Sequence, residues 1–125
     1  MELTARQTRF LQRVSDRIEA EPVNTPGIPE VARDLGVPVQ AVQEIVRIGW
    51  ERGQILSLDG LLFTPAQIER IQARVRQLSG SEPLMPKKLR EELGTSRRYL
   101  DALLRHFDRV GFTVATESGR VLLGP

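Results

Sequence analysis

The sequence predicts a mainly α-helical protein with small β-hairpins, built as two copies of one small fold. Three observations support this prediction: the chain contains an internal repeat, each copy has the pattern of three helices, and each copy ends in two short β-rich runs about a turn. At 125 residues the chain is long enough for two compact domains of about 60 residues each. Its composition, 40% hydrophobic and 27% charged, is typical of a globular protein.

The repeat is visible in the glycines. Gly36 and Gly53 recur 58 residues later as Gly94 and Gly111. The apolar positions between them keep the same register, in the pairs Leu35–Leu93, Ile45–Leu103 and Val46–Leu104. Because glycines and apolar residues hold their spacing although the identity is low, the two halves are predicted to share one fold.

Each copy begins with a long amphipathic helix. Its apolar residues are spaced by three and four, as one buried stripe requires: Phe10, Leu11, Val14 and Ile18, then Ile68, Ile71, Val75 and Leu78. Thr64-Pro65 is predicted to open the second of these as N-cap and first helical residue. A short helix follows in each copy, over 29–35 and 86–93, and ends at a glycine suited to the left-handed conformation. The next helix starts almost at once, near Pro38 and near Ser96, which gives a helix-turn-helix.

Two β-rich runs close each copy. In the first copy they are Gln54–Leu58 and Leu61–Thr64 about Asp59-Gly60, a strong hairpin signal. In the second they are Phe112–Thr116 and Arg120–Leu123 about the turn at 117–119. Three helices followed by a β-hairpin is the winged-helix arrangement. We therefore predict two tandem winged-helix domains, mainly α with small β-wings, over residues 1–64 and 65–125.

Several function classes are disfavoured by composition. The chain has no cysteine and one histidine, His106, so a thiolate or multi-histidine metal site and a Ser-His-Asp triad are excluded. It has no glycine-rich phosphate loop and no G-x-S-x-G motif. No apolar run approaches the roughly 20 residues of a membrane span, and residues 1–6 carry no signal-peptide core. We expect a non-enzymatic, cytoplasmic monomer with no metal, no cofactor of its own and no membrane partner.

Charge is distributed unequally between the halves. Residues 1–64 hold seven Arg and nine Asp or Glu, a net charge of −2. Residues 65–125 hold eleven Lys or Arg and seven Asp or Glu, a net charge of +4. Asymmetry of this kind indicates that the second half contacts a polyanion.

The third helix of the second copy carries four of the eleven basic residues of this half. Its predicted core stripe is Leu100, Leu103, Leu104, Phe107 and Val110. Arginines 98, 105 and 109 project from the opposite side, flanked by Asp101 and Ala102. Such a row suits phosphate and base-edge contacts, although a solvated face stabilised by Arg–Asp pairs gives the same pattern.

The first copy supplies an internal control for that choice. At the positions of Arg98 and Arg109 it has Gln40 and Glu51, so the same scaffold has a much less basic face there. Two further basic features flank the helix of the second copy. Lys87 and Lys88, the only lysines, open its short helix, and Arg120 follows the wing turn. Helix-turn-helix proteins use these places for backbone contacts.

One motif in the second copy is specific enough to suggest a family. The run 94–99, Gly-Thr-Ser-Arg-Arg-Tyr, is followed by Phe-Asp-Arg at 107–109 and Arg-Val-Leu-Leu at 120–123. It resembles the C-terminal winged-helix domain of the bacterial selenocysteine-specific elongation factor family, SelB, and the first copy resembles the preceding winged helix of that family.

The resemblance implies a function. In that family the last winged helix grips the loop and upper stem of an mRNA hairpin, the selenocysteine insertion element, beside a UGA codon. The hairpin tethers a factor carrying GTP and selenocysteinyl-tRNA to the ribosome, and the penultimate domains act as spacer and relay. The motif implies that the RNA-facing residues are Thr95, Ser96, Arg97 and Arg98, followed by Lys87, Lys88 and Arg120.

Other interpretations remain open from the sequence. A DNA-binding transcriptional regulator would also use a basic third helix, and a protein-interaction module fits the first copy. The GTP- and tRNA-binding domains of the family are absent from this sequence. We therefore expect an excised fragment, a shortened gene product or a free-standing relative, which would reach tRNA and the ribosome only through the missing domains.

Overall fold

The computed structural model describes residues 2–123 and divides the chain into two compact units, Met1–Ile68 and Glu69–Pro125. The first contains helices α1 (Ala5–Glu19), α2 (Ile28–Leu35) and α3 (Val39–Glu51) and a hairpin of β1 (Leu56–Leu58) and β2 (Leu61–Phe63). Helix α4 (Pro65–Leu78) begins in the first unit and continues into the second. There it is followed by α5 (Pro86–Leu93), α6 (Arg97–Arg109), β3 (Thr113–Thr116) and β4 (Gly119–Leu122). The prediction of a mainly helical protein with small antiparallel strand pairs is confirmed.

Helices α1 and α4 begin with the same cap. The Oγ1 atom of Thr4 accepts from the backbone N–H of Gln7 at 3.0 Å, and the Gln7 side chain accepts from the backbone N–H of Thr4 at 2.9 Å. Thr64 and Gln67 repeat this reciprocal pair, at 3.3 and 2.9 Å. Such a box satisfies two of the orphan amide groups at a helix start. Thr64-Pro65 opens α4 as predicted.

A buried glutamine fixes the first turn of α4 to the first unit. The Nε2 atom of Gln67 donates to the backbone oxygens of Ile18 and Glu21, at 2.8 Å each. Thr64 donates from Oγ1 to the Glu19 carboxylate at 2.6 Å. Gln67 is completely buried, and its amide is matched to both carbonyls, so its polar atoms are satisfied inside the unit.

The tight turn of each helix-turn-helix is the same. Gly36 has φ 67° and ψ 37°, and Gly94 has φ 63° and ψ 41°, so both are left-handed. In each turn the next residue donates its N–H back to the helix: Val37 to the Ala32 oxygen at 3.0 Å, and Thr95 to the Arg90 oxygen at 3.1 Å. The glycines singled out by the repeat are therefore needed for their backbone conformation.

The two hairpins have two-residue loops. Leu58 pairs with Leu61 around Asp59-Gly60, both with positive φ (51° and 84°), and Thr116 pairs with Gly119 around residues 117 and 118. Three of the four strands are shorter than predicted, whereas β4 keeps its predicted length but begins at Gly119, a residue predicted in the turn. Gln54 and Ile55 belong to the turn after α3, where both backbone N–H groups donate to the Gly49 oxygen, and Thr64 is the N-cap of α4.

The core of the second unit differs from the predicted stripe at two positions. Ala102, predicted on the exposed face of α6, is 3% exposed, because α6 packs against both α5 and β3 and its buried arc is wider than one stripe. Val110, predicted in the core, is 55% exposed, because it is the C-cap and the chain leaves the helix there. Phe107 and Phe112 pack edge to face with centroids 5.0 Å apart, and the Arg76 guanidinium lies 4.9 Å from the Phe112 ring centre.

None of the helices within residues 2–123 is both long and apolar enough to cross a lipid bilayer.

Candidate nucleic-acid interface

A small basic cleft lies between the N-terminal parts of α5 and α6. Its volume is about 260 Å³ and it is lined by three cations, one acid and two apolar residues: Lys87, Arg90, Arg97, Asp101, Pro86 and Leu100. The structure thus brings together Lys87 and Arg97, two of the residues selected from the sequence. Three cations around one cleft outweigh the single carboxylate, so the cleft favours an anionic ligand.

The other candidates of the helix-turn-helix lie beside this cleft in the chain. Lys88 is exposed on the first turn of α5, and Arg98 is exposed on the first turn of α6. Thr95 is half-buried in the turn between the helices, and Ser96 is the exposed N-cap of α6. The Ser96 hydroxyl makes no capping hydrogen bond to the helix, so it is available for another acceptor or donor.

The cations occupy positions that do not favour the helices that carry them. Lys87 and Lys88 are the second and third residues of α5, Arg97 and Arg98 are the first two of α6, and neither helix has an acid in its first turn. The positive end of the helix dipole is at the N-terminus, so each cation there is unfavourable by up to about 0.3–1 kcal/mol. An anionic ligand at these helix N-termini would offset that cost.

The first unit lacks this arrangement on the same scaffold. At the position of Lys88 it has Glu30, an acid in the first turn of α2, and α3 begins with Val39 and Gln40. Arg47, which matches Arg105, is held by Glu44 and Glu51, the latter at 2.7 Å. These hydrogen bonds raise the pKa of Arg47, and the bond from Arg47 lowers the pKa of Glu44. Cations at the starts of the two helices of the helix-turn-helix are therefore specific to the second unit.

Arg120 of β4 is paired with Asp108 of α6. Its Nη2 atom lies 3.0 Å from Oδ2 of Asp108, and its Nε donates to both carboxylate oxygens at 3.1 and 3.2 Å. Thr113 donates from Oγ1 to the same carboxylate at 2.6 Å. Burial raises the pKa of Asp108, but the hydrogen bonds from Thr113 and Arg120 and the charge of Arg120 together bring that pKa below its ordinary value. Only the Nη1 atom of Arg120 takes no part in this pair.

The wing is tied to the start of α5 by a bridge that the sequence did not indicate. Leu84 and Arg120 exchange both backbone hydrogen bonds at 2.8 Å. Gly119 makes this approach possible, because a Cβ there would lie 2.2 Å from the Leu84 oxygen. The backbone of Arg120 is thus fixed next to Met85, the N-cap of α5.

Arg90 is the basic residue of the cleft that sequence reasoning missed. It follows Lys87 by three residues on α5, a spacing that places both on one helix face. This spacing could have identified Arg90 from the sequence, but the two acids that follow it, Glu91 and Glu92, made this part of α5 look nearly uncharged overall. One of these acids, Glu92, forms a salt bridge with Arg74 of α4 at 3.3 Å.

The sequence comparison gives one family match, in the second half of the chain. Residues 76–122 match a family model described as "Elongation factor SelB, winged helix". This part of the chain is therefore similar to the SelB winged helix. The predicted resemblance to SelB is confirmed over this region, and all seven candidate RNA-binding residues lie inside it. No curated protein matches the sequence.

Two solved structures related to SelB share the fold. The mRNA-binding domain of elongation factor SelB from E. coli, in complex with SECIS RNA, superposes with a TM-score of 0.77 at 21% identity, covering 98% of this chain and 100% of that one. A bacterial selenocysteine-specific elongation factor, EF-Sec, superposes with a TM-score of 0.74 at 18% identity. That match covers 97% of this chain and 20% of the EF-Sec chain, so the present chain spans about a fifth of that factor.

Proposed function

We propose that this chain is a tandem winged-helix module whose second domain binds an mRNA hairpin of the selenocysteine-insertion type and so supports recoding of UGA during translation elongation. The observation that carries the proposal is a coincidence of two independent features. The region that matches the SelB winged helix is also the region in which four cations stand at helix N-termini, against the local dipole. The fold shared with the SECIS-binding domain of E. coli SelB supports the same ligand class.

The contact residues we propose are the helix starts and the turn between them. Arg97 and Arg98 would approach phosphates or base edges from α6, and Lys87 and Lys88 would contact the backbone from α5. Thr95 and Ser96 would donate hydrogen bonds from the turn and the uncapped helix end. Arg120 would contribute through Nη1 while Asp108 holds its guanidinium in place.

We assign different roles to the two halves. Residues 65–125 would form the RNA-binding domain, and residues 1–64 a spacer or interaction domain, because their third helix has one arginine beside two acids, Glu44 and Glu51. We propose no catalytic role for this chain. GTP, selenocysteinyl-tRNA and the ribosome would be bound by domains outside it. The module would act as a cytoplasmic monomer.

The experiment that tests the RNA assignment is a competition measured by fluorescence anisotropy. The full chain is bound to a labelled RNA hairpin with an unpaired loop base, and unlabelled competitors are added: the same hairpin, the same stem closed without the unpaired base, and a DNA duplex of equal length. We expect the hairpin to compete best, since unpaired RNA bases offer edges and faces that a duplex hides. Equal or better competition by duplex DNA would overturn the proposal in favour of a DNA-binding regulator.

A further inference from the structure

A larger groove lies in the first unit, between α1 and the segment that runs from the helix-turn-helix turn into the start of α3. Its volume is about 680 Å³, within the range of about 300–1,000 Å³ that is common for ligand sites. The floor is apolar, formed by Phe10, Val37, Pro38 and Ala41. Three arginines and one glutamine complete the lining: Arg6, Arg9, Arg13 and Gln7.

The three arginines form a stripe along α1. Spacings of three and four residues place Arg6, Arg9 and Arg13 on one face of the helix, over about 10 Å of its length. Arg13 donates to the Leu35 oxygen at 3.5 Å. Among the described residues that line the groove none is acidic. A cluster of three cations without a lining acid is notable in a half of the chain whose net charge is −2.

The matching helix of the second unit serves as an internal control. The identical caps of α1 and α4 align the two helices, Thr4 with Thr64 and Gln7 with Gln67. Counted from the cap, the places of the three arginines are taken in α4 by two alanines and one glutamate: Ala66, Ala73 and Glu69. The stripe is therefore not required by the fold. Arg6 also lies in the first turn of α1, where a cation is unfavourable for the helix.

The lining selects one chemistry of partner. Guanidinium groups on a rim bind carboxylates with paired hydrogen bonds, while an apolar floor gains only from burying apolar side chains. A phosphate backbone would pair with the arginines but would bury no apolar group against the apolar residues of the groove. An acidic amphipathic segment satisfies both, in the manner of a helix laid into a groove.

We propose that the groove between α1 and α3 docks an acidic, amphipathic protein segment, with its carboxylates on Arg6, Arg9 and Arg13 and its apolar side chains on Phe10, Val37, Pro38 and Ala41. This site would be the interaction surface of the first unit. It does not depend on RNA binding by the second unit.

The test is a selection from a random peptide library displayed on phage, with the immobilised full chain as the target. We expect enrichment of peptides that combine Asp or Glu with apolar residues at helical spacing. Synthetic versions of the enriched peptides should lose about tenfold or more in affinity when Arg6→Glu and Arg9→Glu are combined in the chain, because each change replaces attraction with repulsion. Replacing the apolar residues of the peptide with alanine should weaken binding similarly.

Arg33→Glu is the matched control, since Arg33 is an exposed arginine of the same unit outside the groove. It should leave peptide affinity unchanged. Folding is checked by thermal unfolding, and Arg6→Glu should not lower the melting temperature because an acid suits a helix N-terminus. The proposal is overturned if no acidic amphipathic peptide is enriched, or if enriched peptides bind the doubly reversed chain as well as the native one. It is also overturned if the double reversal weakens RNA-hairpin binding and leaves peptide binding intact, which would make the groove a nucleic-acid surface.

Discussion

At the level of single residues, the second unit places charge where it opposes local stability. Lys88 and Glu30 occupy the same position in the two copies, the third residue of the short helix. The glutamate is favourable with the helix dipole and the lysine is unfavourable. A residue that lowers stability in one copy and not in the other is expected to have a role in binding.

Lys88→Glu should therefore stabilise the protein and weaken RNA binding at the same time. We expect the free energy of unfolding of the second unit to rise by about 0.3–1 kcal/mol, because a favourable charge replaces an unfavourable one. Hairpin affinity, measured by anisotropy, should fall. The reciprocal change Glu30→Lys is the control: it should lower the stability of the first unit by a similar amount and leave RNA affinity unchanged. A stabilised Lys88→Glu variant with undiminished hairpin affinity would remove Lys88 from the interface.

Asp108 gives a prediction about pH. Its folded pKa lies below the ordinary value of about 3.9, so the unfolded chain binds the proton more readily and Asp108 stabilises the fold at neutral pH. That contribution is present above about pH 4 and is lost as the pH falls through the folded pKa. Asp108→Asn should lower the free energy of unfolding by about 1 kcal/mol at pH 7, a modest value because the pair is partly exposed to solvent.

Denaturant unfolding of both chains between pH 7 and pH 3 measures this effect. The difference in stability between the native chain and Asp108→Asn should shrink as the pH falls below about 4. A difference that stays constant over this range would show that the Asp108 charge does not stabilise the fold.

At the level of elements, the attachment of the wing depends on one glycine. Gly119 has φ 145°, and a Cβ there would lie 2.2 Å from the Leu84 oxygen, which is backbone and cannot rotate away. Gly111 also has a positive φ, 78°, but its Cβ would meet nothing within 4 Å. A substitution at Gly111 therefore tests the backbone conformation alone, whereas one at Gly119 also tests the close approach to Leu84.

Gly111→Ala should cost about 1–2 kcal/mol, from the left-handed conformation alone. Gly119→Ala should cost more and should break the Leu84–Arg120 bridge. Amide hydrogen exchange measures the bridge directly: the N–H groups of Leu84 and Arg120 should lose protection in Gly119→Ala and keep it in Gly111→Ala. Equal protection in both variants would mean that the bridge tolerates a side chain at Gly119.

The elements that were predictable from sequence are those with a local signal. The short helices 29–35 and 86–93 were located to within one residue, because a glycine ends each and proline lies in each first turn. The turn at Asp59-Gly60 was located because this dipeptide is a local hairpin signal. The Leu84–Arg120 bridge was missed, since a single pair of residues far apart in sequence leaves no periodicity to detect. Burial of Ala102 was missed because it depends on two packing partners of α6, which a projection of one helix does not contain.

The candidate site was predictable in part. The repeat identified the unusual cations by contrast between copies, and the structure brings Lys87 and Arg97 to one cleft. The ion pair between Arg120 and Asp108 was not predictable from sequence. It joins β4 to α6, and the position of Arg120 opposite Asp108 depends on how β4 pairs with β3 in the folded chain.

At the level of the whole molecule, the two units carry different charge on one scaffold. The second half has a net charge of +4 and the first −2, and four of the eleven cations of the second half occupy helix starts. In the first unit Arg47 is neutralised by Glu44 and Glu51 on α3. Binding of a polyanion releases counterions in proportion to the phosphates contacted, so the salt dependence of binding reports which unit makes the contacts.

The combined change Arg97→Ala and Arg98→Ala in the full chain should weaken hairpin binding and flatten its salt dependence. Each lost phosphate contact reduces the slope of log K against log salt by about 0.7–0.9, so two lost contacts reduce it by about 1.4–1.8. If either arginine reads a base as well, its loss should cost a further 1–3 kcal/mol, roughly, and relax the preference at that base. We expect the double variant to fold, because both side chains are exposed and alanine favours the helix.

The matched control is the combined change Val39→Ala and Gln40→Ala at the equivalent positions of the first unit. It should leave both the affinity and the salt slope nearly unchanged, since neither side chain is charged and α3 carries its acids nearby. Binding is measured by anisotropy at several salt concentrations, with the same hairpin for all chains. Equal losses from the two double variants would contradict the assignment of RNA binding to the second unit, because charge would then not distinguish the copies. An unchanged slope after loss of Arg97 and Arg98 would place the phosphate contacts elsewhere in the second unit, with Lys87, Lys88 and Arg90 as the next cations to remove.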